Sequence, residues 1–488
     1  MRSIQEARVE VQQAADIVTQ LAEGRSERLA DFESQLWSAL LALGRAAVGL
    51  YLVVRAARPR ASEYEHDGRH WLLGPCRDSE LGTRFGKVRF ERPTGVDASN
   101  RRAARDLPVD RELGLCGGFS LGTVTAMTRL CAQLAFANAR QNFRETYEWA
   151  PSPRAVLRMV DAIGSEARNF LEQAPAPDGE GEILVIQVDA KGAPMLSPET
   201  CRRRSRPHER EEVSGRTARR ASKRRWPKPK RRSVGKKAKN AKMAVLGVIY
   251  TLRRTKNGYE GPINKRVIGT FDSHEALFAW LRHEADKRGY GQKRTLFLAD
   301  GSEHIWRGQL KHLAQAEVCI DWHHIVERLW DVGTCFHPEY SAELEAWAAR
   351  QTTRLRRGAI GAILGELKQR LEGTPKTGPG NKFKRRRLCR AIDHFEEHRD
   401  RMRYAELRKD DLDIATGAVE GAARNVVGLR LDGPGMHWGR ERAERVLHLR
   451  CILVNGMWQD FVRHLGQLPE IALAAQPAPA TPHLAKAA

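Results

Sequence analysis

Two short apolar runs each end on an aspartate: Ile183-Leu-Val-Ile-Gln-Val-Asp189-Ala-Lys-Gly192 and Thr295-Leu-Phe-Leu-Ala-Asp300-Gly301. Runs of this length, rich in β-branched residues and bounded by glycine, read as buried strands. An unpaired buried charge is costly, so a carboxylate at the exposed end of a central strand is a candidate metal ligand. Either run alone equally describes a strand followed by an Asp turn. The pair, roughly a hundred residues apart, points to one carboxylate site assembled from distant segments. A third acid, Glu420, lies in Ile414-Ala-Thr-Gly-Ala-Val-Glu420-Gly-Ala-Ala-Arg424, where a helix can start. Gly417, Ala418, Gly421 and Ala422 would let that helix approach a sheet closely, and Arg424 stands one turn from Glu420 on the same face. Glu441 and Glu444, on an amphipathic segment downstream, are rivals for the third position. Asp189, Asp300 and Glu420 converging on one sheet edge would hold two Mg²⁺ ions about 3.5–4 Å apart. Mn²⁺ can substitute, because both are hard cations that favour oxygen ligands. That pair suits in-line displacement at a phosphodiester: one ion activates a water or positions a 3′-hydroxyl, and the other stabilises the leaving oxygen. Asp189, on the first strand, takes the bridging place.

The charge of the chain supplies a partner for such chemistry. The formal net charge is +23 with a pI near 10.0, the signature of a protein that binds a polyanion. Between Cys201 and Lys242 there are 19 Lys+Arg against three Glu, so +16 of that charge sits in 42 residues. Arg202, Arg203, Arg204, Arg219, Arg220, Lys223, Arg224, Arg225, Lys228, Lys230, Arg231, Arg232, Lys236 and Lys237 are the candidate DNA contacts. The segment has Trp226 as its one aromatic, too little apolar surface to order itself alone. It reads as a flexible insertion that binds phosphates of double-stranded DNA.

The positioning elements follow in order. Residues 1–58 are helical by pattern, a hairpin or an oligomerisation element. The apolar run Leu36–Val54 carries Arg45 at its centre, at about 2.5–3.5 kcal/mol on insertion scales, so it reads as a buried helix with no membrane role. Residues 59–118 form a small β-containing region with a strand at Phe85–Pro93; His66, His70, Cys76 and Cys116 there fit no zinc spacing. Residues 119–174 are helical, with helices expected over 121–138, 142–149 and 154–170. They are either a helix-turn-helix for a DNA groove or a plain packing unit. Ala174–Glu182 reads as a linker. Strands at 183–189, 243–252, 266–271 and 295–300, with a helix over 273–288, make the first part of the core (183–330). Residues 331–412 form an all-α insertion, residues 413–470 return to the core with a long helix over 440–465, and 471–488 is an Ala/Pro-rich disordered tail. The eight scattered cysteines and the polar start Met1-Arg-Ser-Ile-Gln-Glu point to a reducing cytoplasm with no secretory signal.

Acid-bearing strand, strand, strand, helix, acid-bearing strand is the order of an RNase H-like mixed sheet. There the first three strands form an antiparallel meander and a helical crossover sets the next strand beside the first. The expected fold class is therefore α/β: an RNase H-like core with an all-α insertion, preceded by a mainly helical N-terminal DNA-binding region. Leu298-Ala-Asp300-Gly, Cys319-Ile-Asp321-Trp-His-His324 running into Glu-Arg-Leu-Trp330, and Gly417-Ala-Val-Glu420 with Gly435-Met-His-Trp438 resemble the ISKra-type bacterial insertion-sequence transposases. These are DDE enzymes related to Mutator-like elements. The resemblance covers roughly 85–470, most firmly 183–200 and 295–460. It implies the triad Asp189, Asp300 and Glu420, a helical insertion between the second and third acids, and an Asp-x-x-His element matched by Asp321 and His324. That pair is expected to support the fold or position DNA rather than ligate metal; His437 and Trp438 would contact DNA ends or pack beneath Glu420, with Arg424 in a similar supporting place.

The implied function is cleavage and strand transfer of an insertion sequence in the bacterial cytoplasm, at the nucleoid. Its partners are terminal inverted repeats and target DNA, and a homodimer or higher assembly would synapse two ends. Two other readings fit the same residues: a transposase-derived DNA-binding protein that no longer cuts, and an RNase H-like nuclease without strand transfer.

Overall fold

The computed structural model describes residues 3–24, 28–100, 105–197, 200 and 241–468. It forms two compact units, Met1–Phe170 with Gly456–Ala488, and Leu171–Asn455. The candidate DNA contacts from Arg202 to Lys237 and the tail 471–488 lie outside the described residues.

In the first unit, α1 (Ile4–Glu23) starts at a Ser3/Glu6 capping box and packs beside α2 (Leu29–Ala56). α2 is long and apolar enough to cross a membrane by length and composition. Its Leu52 joins Leu81, Val88, Phe90 and Val109 in a shared core, while Trp37, Leu40, Tyr51 and Val54 are exposed, so the run expected to be a buried helix is covered on one face only. The partners of Leu52 come from α3 (Pro108–Glu112) and an antiparallel sheet of β1 (Glu63–His66), β2 (Arg69–Thr83) and β3 (Gly86–Asp97). The strand expected at Phe85–Pro93 is the first part of β3. His70 is held between Glu63 and Glu65 of the neighbouring strand, and His66, His70, Cys76 and Cys116 form no metal-ligand group among the described residues.

The helices expected over 121–138 and 142–149 divide elsewhere. α4 (Leu121–Gln133) stops at Leu134, which is extended, and α5 (Phe136–Tyr147) follows. Leu and Ala at the break are good helix formers, so tertiary packing sets it; Ala139 and Phe143 of α5 are fully buried. α6 (Pro153–Gln173) buries Val156, Val160 and Ile163. The helix Trp458–Gln467 also belongs to this unit, with Phe461 packed 5.2 Å from Phe170.

The second unit is built on a five-stranded mixed sheet of order β6-β5-β4-β7-β8. Its strands are β4 (Ile183–Pro194), β5 (Ala241–Thr255), β6 (Gly258–Thr270), β7 (Arg294–Ala299) and β8 (Glu317–Ile320). β4, β5 and β6 form the antiparallel meander, and α7 (His274–Lys287) carries the chain across to β7, parallel to β4. Ser273 caps α7 by accepting from the Ala276 N–H, as its sequence implies. The core strand residues Leu184, Val185, Ile186, Val188, Phe297 and Leu298 are fully buried. β4 and β5 extend beyond the expected limits, to a Pro194–Ala241 pair, so Asp189 lies inside β4 rather than at its end. Residues 174–182 are tied down: Arg288, with no side-chain exposure, binds Glu180, and Lys287 donates to the Ala174 carbonyl.

Beyond the sheet come α8 (Glu303–His312), α9 (Trp322–Gly333) and the expected helical insertion of α10 (Ala342–Arg356), α11 (Ile360–Gly373), α12 (Asn381–Glu397) and α13 (Tyr404–Lys409). The chain returns through α14 (Gly417–Ala423), a π-helical turn Arg424–Gly428 and α15 (Arg440–Val454). The long helix expected over 440–465 ends at Val454. Asn455 spends its side-chain amide on the Val267 backbone, and Gly456 takes φ +73°, a left-handed conformation that glycine tolerates.

The insertion has one polar knot. Glu366 accepts from Trp347 Nε1 (2.7 Å), Gln351 Nε2 (2.9 Å) and Arg354 Nη1 (2.7 Å). Burial raises its pKa, but these donors outweigh it and bring the carboxyl down to about 2. A depressed acid stabilises the fold above its unfolded pKa, near 4.3, and that contribution fades as pH falls toward 2. We expect Glu366→Gln to cost about 2 kcal/mol at neutral pH, after allowing for solvent screening. The deficit should shrink between pH 4.5 and 2 in equilibrium unfolding; a pH-independent deficit would contradict this role.

Candidate active site

The strand register brings the first two acids together. Val188 of β4 pairs with Ala299 of β7, so the next residue on each parallel strand is Asp189 and Asp300. Asp189 is half-buried, and its Oδ1 accepts from the Ala190 N–H at 2.7 Å. Burial raises its pKa, and the Asp300 and Glu420 carboxylates add to that rise, against the Ala190 hydrogen bond and His324. Like charges thus face one another where β7 ends beside β4. Asp300 accepts from the Ser302 N–H at 3.0 Å and shapes the turn into α8. Gly301 in that turn lies against His394 of α12: a Cβ there would stand 2.4 Å from the imidazole Cε1. The insertion therefore buttresses the Asp300 turn directly.

Glu420 arrives on α14, which rests on β4 and β5. The close approach is made by Val419, Ala422 and Ala423, all buried. Gly417 and Gly421, expected to permit that approach, have open space where a Cβ would stand. They leave the flanks of exposed Glu420 bare. Thr416 Oγ1 donates to Glu420 Oε1 at 3.1 Å. Arg424, one turn from Glu420, makes no ion pair with it among the described residues; it opens the π-turn and is exposed.

The sequence pattern did not single out the residues that fix α14. Gln187, the polar residue inside the β4 run and 1% exposed, accepts from the Val419 N–H at 3.0 Å and donates to the Ala415 carbonyl at 3.3 Å. It also donates to Tyr250 Oη, which donates to Asp413 at 3.1 Å. The one signal was a glutamine in an otherwise apolar strand, which must find partners when buried.

Asp321 is fully buried and caps α9. Its Oδ1 accepts from the Thr416 N–H (2.7 Å), and its Oδ2 from the His324 N–H and ring Nδ1 (both 2.8 Å). Burial raises its pKa, but the bonds from His324 and Thr416 outweigh this and lower it. The Asp321 hydrogen bond lifts His324 to about 9. Asp321 thus joins α9 to the start of α14 and orients the His324 ring, leaving Nε2 free, as carboxylates do for metal-ligating histidines. Asp321, His324 and Glu420 offer ligand atoms all within 4.8 Å of one another. The sequence reading kept Asp321 and His324 apart from metal ligation; the geometry puts them close enough to Glu420 to share an ion.

The rivals for the third acid lie elsewhere. Glu444 accepts from Thr270 Oγ1 and the Phe271 N–H (both 2.6 Å) and pairs with His448, so it secures the end of β6. Glu441 is exposed on the first turn of α15. Trp438 is buried: its backbone pairs with Pro194 and Leu196, its Nε1 donates to the Leu431 carbonyl, and Arg430 covers its ring. It extends β4 and has no exposed face for DNA, whereas His437 beside it is exposed.

No protein-family model matches the sequence, and no curated protein matches it significantly. Among solved structures the chain is similar to the Drosophila P element transposase strand transfer complex, at 9% identity and a TM-score of 0.24, over 71% of this chain and 82% of that one.

Proposed function

We propose that the protein is a DDE transposase with an RNase H-like core that cleaves DNA at the ends of an insertion sequence and transfers the strands. The observation carrying this reading is the strand register that aligns Asp189 with Asp300, faced by Glu420 on a helix held to the same strand by Gln187. Mutually repelling carboxylates, with Asp189 raised first by burial and then by its acidic neighbours, are a donor set that suits hard divalent cations. Asp189, Asp300 and Glu420 would hold them. Bound Mg²⁺ or Mn²⁺ would supply an activated oxygen nucleophile and stabilise the leaving 3′-oxygen. Asp321 holds the His324 ring at the rim, where Nε2 can meet a ligand or a phosphate. The basic segment from Cys201 to Lys242 would gather DNA.

The test is a supercoiled plasmid carrying both flanks of the protein's own coding sequence, set against one without them. We expect nicking and strand transfer on the first plasmid with Mg²⁺ or Mn²⁺, abolished by a chelator. Binding without cutting under either ion would favour a DNA-binding protein, and equal cutting of both plasmids a nuclease without end recognition.

A further inference from the structure

Along β4, alternate side chains share a face, so Gln187, Asp189 and Lys191 point the same way. Gln187 is bonded to Val419 of α14, and Lys191 lies under the last residue of the π-turn. A Cβ at Gly428 would stand 3.1 Å from Lys191 Cε and 3.8 Å from Nζ. One segment, 417–428, therefore covers both ends of this face, with Asp189 between them. π-turns recur at functional sites because they displace one stretch of helix backbone. Here the displaced stretch closes over the lysine stem.

Lys191 is half-buried, yet none of the described carboxylates pairs with its ammonium. That is unusual beside a cluster of acids, since a partly desolvated cation gains by pairing. Two strand rises set the Asp189 and Lys191 Cα atoms about 6.8 Å apart on one face, so a phosphate at Asp189 would lie within reach of the lysine stem.

The geometry points to Lys191 as a phosphate-binding residue that takes a non-bridging oxygen of a DNA phosphodiester; this rests on the transposase reading and deepens it. A lysine binds phosphate as a point charge through up to three N–H donors. It would offset the repulsion between the incoming backbone and the three acids, and would fix the phosphate against Asp189 without a ligand role of its own.

The test uses the full chain with Lys191→Met, which keeps the apolar stem, Lys191→Arg, which keeps the charge, and Gly428→Ala, which crowds the stem. On the flank-bearing plasmid, Lys191→Met should lower kcat/KM about 10- to 100-fold. In fluorescence anisotropy with labelled duplex, its log affinity should fall less steeply with log salt, by about 0.9 for one lost phosphate contact. Lys191→Arg should retain most of both, and Gly428→Ala should fall between. Unchanged salt dependence and cleavage in Lys191→Met would overturn the assignment, as would equal damage in Met and Arg variants with a lowered melting temperature. If the wild type cuts neither plasmid, the transposase reading fails, and the salt dependence still decides whether Lys191 meets phosphate.

Discussion

Asp189→Ala, Asp300→Ala and Glu420→Ala are each expected to reduce plasmid nicking on the order of 10³-fold or more, while DNA binding by gel shift stays within a few-fold of wild type. Binding survives because the basic segment lies apart from the acids in sequence and carries +16 of the charge. The three losses should not add: each removes a member of one site, so a double variant should be little worse than a single one. Asp189, inside β4, and Asp300, just past β7, are neighbours in the strand register, and Asp321, which follows Ile320 of β8, stands next in line after Asp300. Glu420 is the discriminating case. If Glu420→Ala cuts normally while His324→Ala does not, the catalytic ligands are the strand acids with His324, and α14 serves only to cover the sheet. Glu444→Ala makes the control for fold damage: it breaks the Thr270 and Phe271 bonds at the end of β6 and should lower the melting temperature without a specific loss of cutting.

The parts of this site that could be read from sequence are those whose signal is local. β-branched runs ending on Asp189 and Asp300 announce strands, and Ser273 announces the crossover helix. A meander followed by a helix then leaves few ways to place β7 beside β4. What could not be read depends on contacts distant in the chain. Gln187 is 228 residues from Ala415, and nothing near either residue signals the bond. Of the small residues around Glu420 that suggested close packing, Ala422 is buried, beside Val419 and Ala423, whereas Gly417 and Gly421 face open space; composition marked the right helix, and half of its reason holds. Asp321 is similar: its spacing to His324 was visible, but its second oxygen's bond to Thr416 was not. The break after Val454 follows from Asn455 reaching Val267, another contact without local trace, as does the seating of His394 against the Asp300 turn.

Gln187→Leu is expected to impair the site without touching any reacting group. Leucine fits the apolar strand, but the Ala415 carbonyl loses its partner and the Val419 N–H keeps only its bond to the Thr416 carbonyl, and an unsatisfied buried polar group costs about 1–3 kcal/mol. The cheapest relief is for α14 to lift from β4 and find water, carrying Glu420 with it. A displacement of about 1 Å at a catalytic group is enough for a loss on the order of 10²-fold. We therefore expect Gln187→Leu to lower kcat roughly 10- to 100-fold, to weaken Mn²⁺ binding by calorimetry, and to leave KM and DNA affinity near wild type. Tyr250→Phe, which removes only the bond to Asp413 and the one from Gln187, should fall well short of that loss. A purely structural role predicts a different pattern: a lower melting temperature, with full kcat and Mn²⁺ affinity well below it. That pattern would mean α14 keeps its seat through Val419 and Ala422 alone, and that Thr416, through Asp321, is the hold that sets Glu420.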